Sequence, residues 1–138
     1  MANIADDITE LVGNTPLLRL HKFEKEAGFE GKILAKLEVF NPTGSVKDRI
    51  AKNMIEQAER DGRLKPGGTI IEATSGNTGI GLVAIAAAKG YQAIIVMPDS
   101  MSKERIRILE AYGAKVVLTP GEKHMIIHFR ILIIWKSC

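Results

Sequence analysis

The chain has 138 residues, of which 46% are hydrophobic and 25% are charged. This length and composition predict one ordinary globular domain with a buried core. The 19 Lys and Arg residues and 16 Asp and Glu residues give a net charge of +3 and form no dense basic run, so nucleic-acid binding is not predicted. The first residues lack the pattern of a secretory signal, and one cysteine, Cys138, excludes an internal disulfide framework. These observations predict a cytoplasmic protein.

Strand and helix patterns alternate along the chain after a short leader. The predicted strands are residues 33–40, 69–73, 93–97 and 115–119, and the predicted helices are residues 45–61, 77–89 and 102–112. Gly62, Gly90 and Gly113 follow the three helices and are expected to end them. The order β-α-β-α-β-α-β predicts an α/β fold with a parallel sheet and helices on both faces.

Lys47 lies in the segment NPTGSVKDR at residues 41–49, where the first of these helices begins. Ser45 and Asp48 have the spacing of an acidic capping box, which puts Lys47 in the first turn. The N–H groups and the dipole at a helix start disfavour an ammonium group, so this position favours the neutral amine. A neutral lysine attacks carbonyl carbons and forms Schiff bases. The alternative is an ordinary solvated lysine on the surface.

A second segment of small and hydroxylated residues, TSGNTGIG at residues 74–81, joins a predicted strand to a predicted helix. Backbone N–H and hydroxyl groups at such a turn converge on an anion, either a carboxylate or a phosphate. The glycine spacing is the reverse of the dinucleotide fingerprint, and the lysine of a P-loop is missing. The alternative is a turn that only lets a helix pack closely on the sheet. Because Lys47 and this loop both follow predicted strands, we expect them to face one crevice at the carboxyl ends of the strands.

Residues 124–138 differ from the rest of the chain, because they are apolar, β-prone and free of proline. Such a segment is typical of aggregation unless something covers it, and it is too short and too interrupted to span a bilayer. His124 and His128, with Cys138 nearby, have the spacing of a metal pair, but no third ligand is placed and no metal site is predicted. We therefore predict a domain at residues 1–123 and a separate tail at residues 124–138.

Three motifs, which follow one another along the chain, resemble those of cysteine synthase, the O-acetylserine sulfhydrylase. This enzyme is one of the pyridoxal-phosphate enzymes of fold type II. They are LVGNTPL at residues 11–17, NPTGSVKDR at residues 41–49 and TSGNTG at residues 74–79. The resemblance covers residues 1–123 and implies a transferase of cysteine biosynthesis, which uses pyridoxal 5'-phosphate to replace the acetate of O-acetylserine with sulfide. It also implies a homodimer and a site for the C-terminus of serine acetyltransferase.

Carried onto this sequence, the resemblance makes Lys47 the Schiff-base lysine and the base that removes the α-proton. Asn77 is implied to lie near the ring oxygen of the cofactor. The loop implied to bind the substrate carboxylate consists of Thr74, Ser75, Gly76, Asn77 and Thr78.

The sequence also departs from the pattern it resembles. Members of the family continue into a second domain with a glycine- and threonine-rich loop for the cofactor phosphate and a serine for the pyridine nitrogen, and neither occurs here. Because the positioning of the cofactor supplies much of the catalytic rate, we expect this chain, as a truncated product, to have little or no synthase activity. The alternatives are an inactive fragment, a module that binds carboxylates or peptides, and, within the fold type, cystathionine β-synthase or a threonine dehydratase.

Overall fold

The computed structural model describes residues 4–121 and 132–134. Two short 3-10 helices lie at Ile8–Leu11 and Glu38–Phe40. The α-helices are α1 (His21–Glu26), α2 (Lys47–Arg60), α3 (Asn77–Ala88) and α4 (Lys103–Ala111). The strands are β1 (Leu17–Arg19), β2 (Leu34–Lys36), β3 (Thr69–Ala73), β4 (Gln92–Pro98), β5 (Lys115–Thr119) and β6 (Leu132–Ile134). No helix in these ranges is long and apolar enough to cross a membrane.

The main sheet has the strand order β5-β4-β3-β6. β3, β4 and β5 are parallel, with Ile71 opposite Ile94 and Val96 opposite Val117, while β6 pairs antiparallel with β3. Each parallel pair is joined by one helix, α3 or α4, as two βαβ units require. This arrangement confirms the predicted α/β class.

The first predicted strand, residues 33–40, does not belong to the main sheet. Only Leu34–Lys36 is a strand, and it pairs antiparallel with β1 in a separate two-stranded sheet. The chain then turns into the 3-10 helix Glu38–Phe40. The prediction of a fourth parallel strand was therefore wrong, because an apolar run indicates a strand without saying which strand it pairs with.

One face of the main sheet carries the hydrophobic core. Alternate residues of β3 and β4, namely Ile70, Ala93, Ile95 and Met97, are buried there. They pack with buried residues of three helices: Ala51, Ile55 and Ala58 of α2, Leu82, Val83, Ile85 and Ala86 of α3, and Leu109 of α4. Burial of this continuous apolar surface is the main stabilising term for the fold.

The intervening residues of the strands face away from this core. Ile71, Ile94 and Val96 are only half-buried, and Val117 is 38% exposed. Right-handed connections that run in one direction, from β3 to β4 to β5, place their helices on the same side of a sheet. The predicted second layer of helices is therefore not found among the described residues.

The ends of the helices follow the predicted glycines. Gly62, Gly90 and Gly113 come just after α2, α3 and α4, and their φ angles are 68°, 74° and 85°. These left-handed conformations suit glycine because it has no Cβ. Ser102 caps α4 by accepting a hydrogen bond from the N–H of Arg105.

The helices α2 and α3 pack closely where Gly81, in the second turn of α3, faces the first turns of α2. A Cβ added to Gly81 would lie 3.2 Å from the Cβ of Ala51 and 3.3 Å from the carbonyl oxygen of Lys47. The missing side chain therefore lets α3 approach the first turn of α2.

Gly81→Ala tests this close approach. An alanine in a helix is normally favoured over glycine by about 1 kcal/mol, but overpacking a tight contact costs about 1–3 kcal/mol. We expect the packing cost to exceed the gain in helix propensity, so that the free energy of unfolding, measured in urea, falls. Ala87→Gly, at an exposed position of the same helix, reports the propensity effect alone. A Gly81→Ala protein as stable as the wild type would contradict the tight contact.

Candidate active site

Lys47 is the first residue of α2 and is half-buried. The predicted capping box is wrong, because Val46 is the N-cap residue and no side chain caps the helix. The hydroxyl of Ser45 instead accepts a hydrogen bond from the N–H of Lys47 at 3.2 Å. The carboxylate of Asp48, which is fully buried, accepts hydrogen bonds from the backbone N–H of Thr43 at 2.7 Å and from the hydroxyl of Thr43. Asp48 therefore closes the preceding loop.

The side-chain amine of Lys47 has no partner among the described residues. Two other lysines of these helices are held: Lys52 of α2 donates to the carbonyl of Thr9 at 3.0 Å, and Lys89, which follows α3, pairs with Glu59 at 2.9 Å. Within residues 4–121 and 132–134, the Lys47 amine forms neither a hydrogen bond nor an ion pair, and only its backbone N–H bonds to Ser45. The amine is therefore available to a ligand.

The loop at residues 74–78 leaves the first turn of α3 open. The N–H of Thr74 donates to the carbonyl of Val96 at 3.1 Å, which ties the loop to the sheet. The hydroxyl of Thr74 accepts from the N–H of Gly76 at 3.3 Å. Gly76 is the N-cap residue, no side chain caps the helix, and a Cβ added to Gly76 would meet nothing within 4 Å.

Several donors of this loop are unused in the part of the chain that the structure describes. They are the backbone N–H groups of Asn77 and Thr78 and the hydroxyl groups of Ser75 and Thr78. N–H groups at the start of a helix point towards an anion, and the helix dipole stabilises it. The loop therefore has the groups of an anion cradle, with open space at Gly76.

The two predicted segments meet at one hydroxyl group. The side-chain amide of Asn77 donates to Ser45 Oγ at 3.3 Å, and the same oxygen accepts from the N–H of Lys47. Ser45 is buried, with 8% exposure. The first residues of α2 and α3 thus lie beside each other, and the expectation that Lys47 and the loop face one crevice stays a prediction. The roles of Lys47 and of residues 74–78 in binding stay predictions.

A cluster that sequence reasoning missed joins the first two motifs. Arg49 donates to both carboxylate oxygens of Glu38, at 2.8 Å and 3.0 Å, and to the hydroxyl of Thr15 at 3.1 Å. Thr15 and the amide of Asn41 also donate to this carboxylate, at 2.7 Å and 2.8 Å, and the N–H of Gly13 donates to Asn41. The cluster fixes the loop that leads to Lys47. Its partners are distant in sequence, so no local pattern predicts it.

The cluster keeps Glu38 ionised. The hydrogen bonds from Arg49 and Thr15 are the largest causes that lower the pKa of Glu38, to about 2, and Asn41 adds to them. The Glu38 carboxylate in turn raises the pKa of Arg49. A bidentate pair of this kind stays charged through the neutral range.

Two sequence predictions fall on residues that the structure does not describe. His124, His128 and Cys138, weighed as a metal pair, lie outside the described residues, as does the domain boundary at residues 123 and 124. Within residues 4–121 and 132–134 there is no group of three His, Cys, Asp or Glu side chains that could hold a metal.

The family model described as pyridoxal-phosphate dependent enzyme matches residues 8–130, and the chain belongs to this family. The match confirms the predicted cofactor, pyridoxal phosphate. The chain is 58% identical over 125 residues to a probable cysteine synthase of Bacillus subtilis, covering 91% of this chain and 40% of the relative. It is 59% identical over 117 residues to cystathionine beta-synthase of Mus musculus, covering 85% of this chain and 21% of the relative.

Solved structures agree with this assignment. The crystal structure of O-acetyl serine sulfhydrylase isoform 3 from Entamoeba histolytica matches with a TM-score of 0.83 and 54% identity, covering 88% of this chain and 37% of that one. The predicted resemblance to cysteine synthase is thereby confirmed. The chain spans about two fifths of the length of the cysteine synthases it matches.

The residues present fit the family's cofactor. An aldehyde needs an amine, which Lys47 offers, and an anionic group needs N–H donors, which the open start of α3 offers. Ser45 holds these two features together.

The pH dependence of stability tests the Glu38 cluster. The folded pKa of about 2 lies below the ordinary value of 4.5, so the stabilisation is present above pH 4.5 and is lost as the pH falls towards 2. We expect urea unfolding to show wild type more stable than Glu38→Gln at neutral pH, with the difference shrinking below pH 4.5. Glu30→Gln, at an exposed position, is the control. A difference that does not change between pH 7 and pH 2.5 would refute the assignment.

Proposed function

We propose that this chain carries the reactive lysine and the carboxylate-binding loop of a cysteine synthase, which replaces the acetate of O-acetylserine with sulfide. The observation that supports this is the shared hydroxyl of Ser45, which brings the start of α2 beside the open start of α3. Relatives named cysteine synthase are 54–58% identical to the chain, which favours this member of the family.

Each residue of the site has a distinct role in this proposal. Lys47 would hold the aldehyde of the cofactor through Nζ. Once the amino group of the substrate has replaced it there, the freed Nζ would accept the proton that leaves the substrate α-carbon. The cofactor, when bound, supplies an electron sink for that carbon. Asn77 orients the cofactor ring. The substrate carboxylate is bound by the N–H groups of Asn77 and Thr78 and the hydroxyls of Ser75 and Thr78.

We further propose that the 138-residue chain alone has little synthase activity. The 138 residues span about two fifths of the length of the cysteine synthases that they match. A cofactor held only through Lys47 is poorly positioned, and positioning supplies a large part of the rate. The homodimer and the cytoplasmic location stay predictions.

Cystathionine β-synthase is a second candidate for the reaction. The mouse enzyme is 59% identical over 117 residues, a value close to that of the cysteine synthases. Release of acetate from O-acetylserine in the presence of sulfide is the property that would favour cysteine synthase. The donors at the open start of α3 suit a carboxylate, a group that any amino-acid substrate carries.

Replacement of Lys47 tests the proposed function. We expect the purified chain with saturating pyridoxal phosphate to show the visible absorbance band of covalently bound cofactor, and Lys47→Ala to lose it. Lys103→Ala is a matched control, because Lys103 is also the first residue of a helix, α4. The control should keep the band. A wild-type chain without the band would refute the proposal.

The open start of α3 also supports a non-catalytic role, in which the loop captures the C-terminal carboxylate of a peptide such as that of serine acetyltransferase. We expect a labelled peptide with a free carboxylate to bind about tenfold more tightly than its amidated form in fluorescence anisotropy, because charge-assisted hydrogen bonds contribute about 1.5–3 kcal/mol. Equal affinity for the two peptides would exclude this role.

A further inference from the structure

We propose that Ser45 is a positioning residue for the cofactor site, because its hydroxyl fixes the Asn77 side chain relative to Lys47. The proposal rests on the proposed function, in which Lys47 and Asn77 both contact pyridoxal phosphate. Ser45 itself contacts neither cofactor nor substrate in this proposal, and it acts through its two neighbours.

The Ser45 hydroxyl accepts two hydrogen bonds, from the N–H of Lys47 at 3.2 Å and from the amide of Asn77 at 3.3 Å. A serine oxygen has two lone pairs, so both are used. One donor belongs to the first residue of α2 and the other to the first residue of α3. The oxygen is thus a direct link between the two helix starts.

The loop that carries Ser45 is held on both sides. Asn41, which is 3% exposed, bonds to Glu38 and Gly13, and its carbonyl accepts from the N–H of Gly44 at 2.8 Å. Farther along, the buried Asp48 bonds to Thr43. Ser45 is itself buried, so its hydroxyl is a fixed point of the structure.

The Asn77 side chain, by contrast, is exposed. Its bond to Ser45 is the only side-chain hydrogen bond it makes within the described ranges. Without that bond the side chain gains rotational freedom, which a ligand would have to remove on binding. A fixed Asn77 is therefore pre-organised for the cofactor, and the fixing group is the Ser45 hydroxyl.

The test is a double-mutant cycle on the affinity for pyridoxal phosphate, measured by titration of the visible band. We expect Ser45→Ala and Asn77→Ala each to weaken binding by about fivefold, and the double variant to bind no more weakly than Asn77→Ala alone. Ser102→Ala, which removes the other serine at a helix start, should leave the affinity unchanged. Losses that multiply in the double variant would overturn the proposal.

A second measurement needs no cofactor. The side-chain amide resonances of Asn77 in a nitrogen–proton NMR spectrum should shift and narrow in Ser45→Ala, and stay unchanged in Ser102→Ala. Unchanged Asn77 resonances in Ser45→Ala would overturn the proposal. If Ser45→Ala does not fold, Ser45→Cys keeps a similar volume with a much weaker acceptor and should give the same result.

The two measurements separate this proposal from the proposed function. A wild-type chain without the visible band refutes the function, and the NMR comparison then decides the role of Ser45 alone. If the wild-type chain shows the band but the affinity losses of Ser45→Ala and Asn77→Ala multiply in the double variant, the function is supported and the role of Ser45 is refuted.

Discussion

The close packing of α2 against α3 is the constraint on which the site depends. Gly81 has no side chain, so α3 comes within contact of the Lys47 carbonyl and of Ala51. The two helices therefore begin side by side, and one buried hydroxyl, that of Ser45, bonds to both. With a wider separation, the starts of α2 and α3 could not share this hydroxyl.

A second constraint acts on the chain before Lys47. Glu38 and Arg49 lie on either side of the loop, and their ion pair holds its two ends together with help from Thr15 and Asn41. Side-chain bonds of this kind compensate for the lack of regular structure in the loop. They also connect the first two motifs of the sequence, and the hydrogen bond from Asn77 to Ser45 joins the third motif to the second.

Much of the fold could be predicted because its signals are local. The strand at residues 69–73 and the strand at residues 115–119 have the bounds predicted from their apolar residues, and the glycines after α2, α3 and α4 end those helices. Two features could not be predicted in this way. The pairing of residues 34–36 with β1 and the placement of the helices on one face both depend on contacts between distant segments.

The sequence by itself determined the class of fold and placed a lysine at one helix start and a hydroxyl-rich turn before another, because both are short, contiguous patterns. Tertiary structure alone decided how these patterns meet. The capping box expected from Ser45 and Asp48 did not form, since Asp48 bonds to Thr43 and the Ser45 hydroxyl accepts from Asn77. A hydroxyl can accept from any donor within reach, and only the packing of α2 on α3 put Asn77 there.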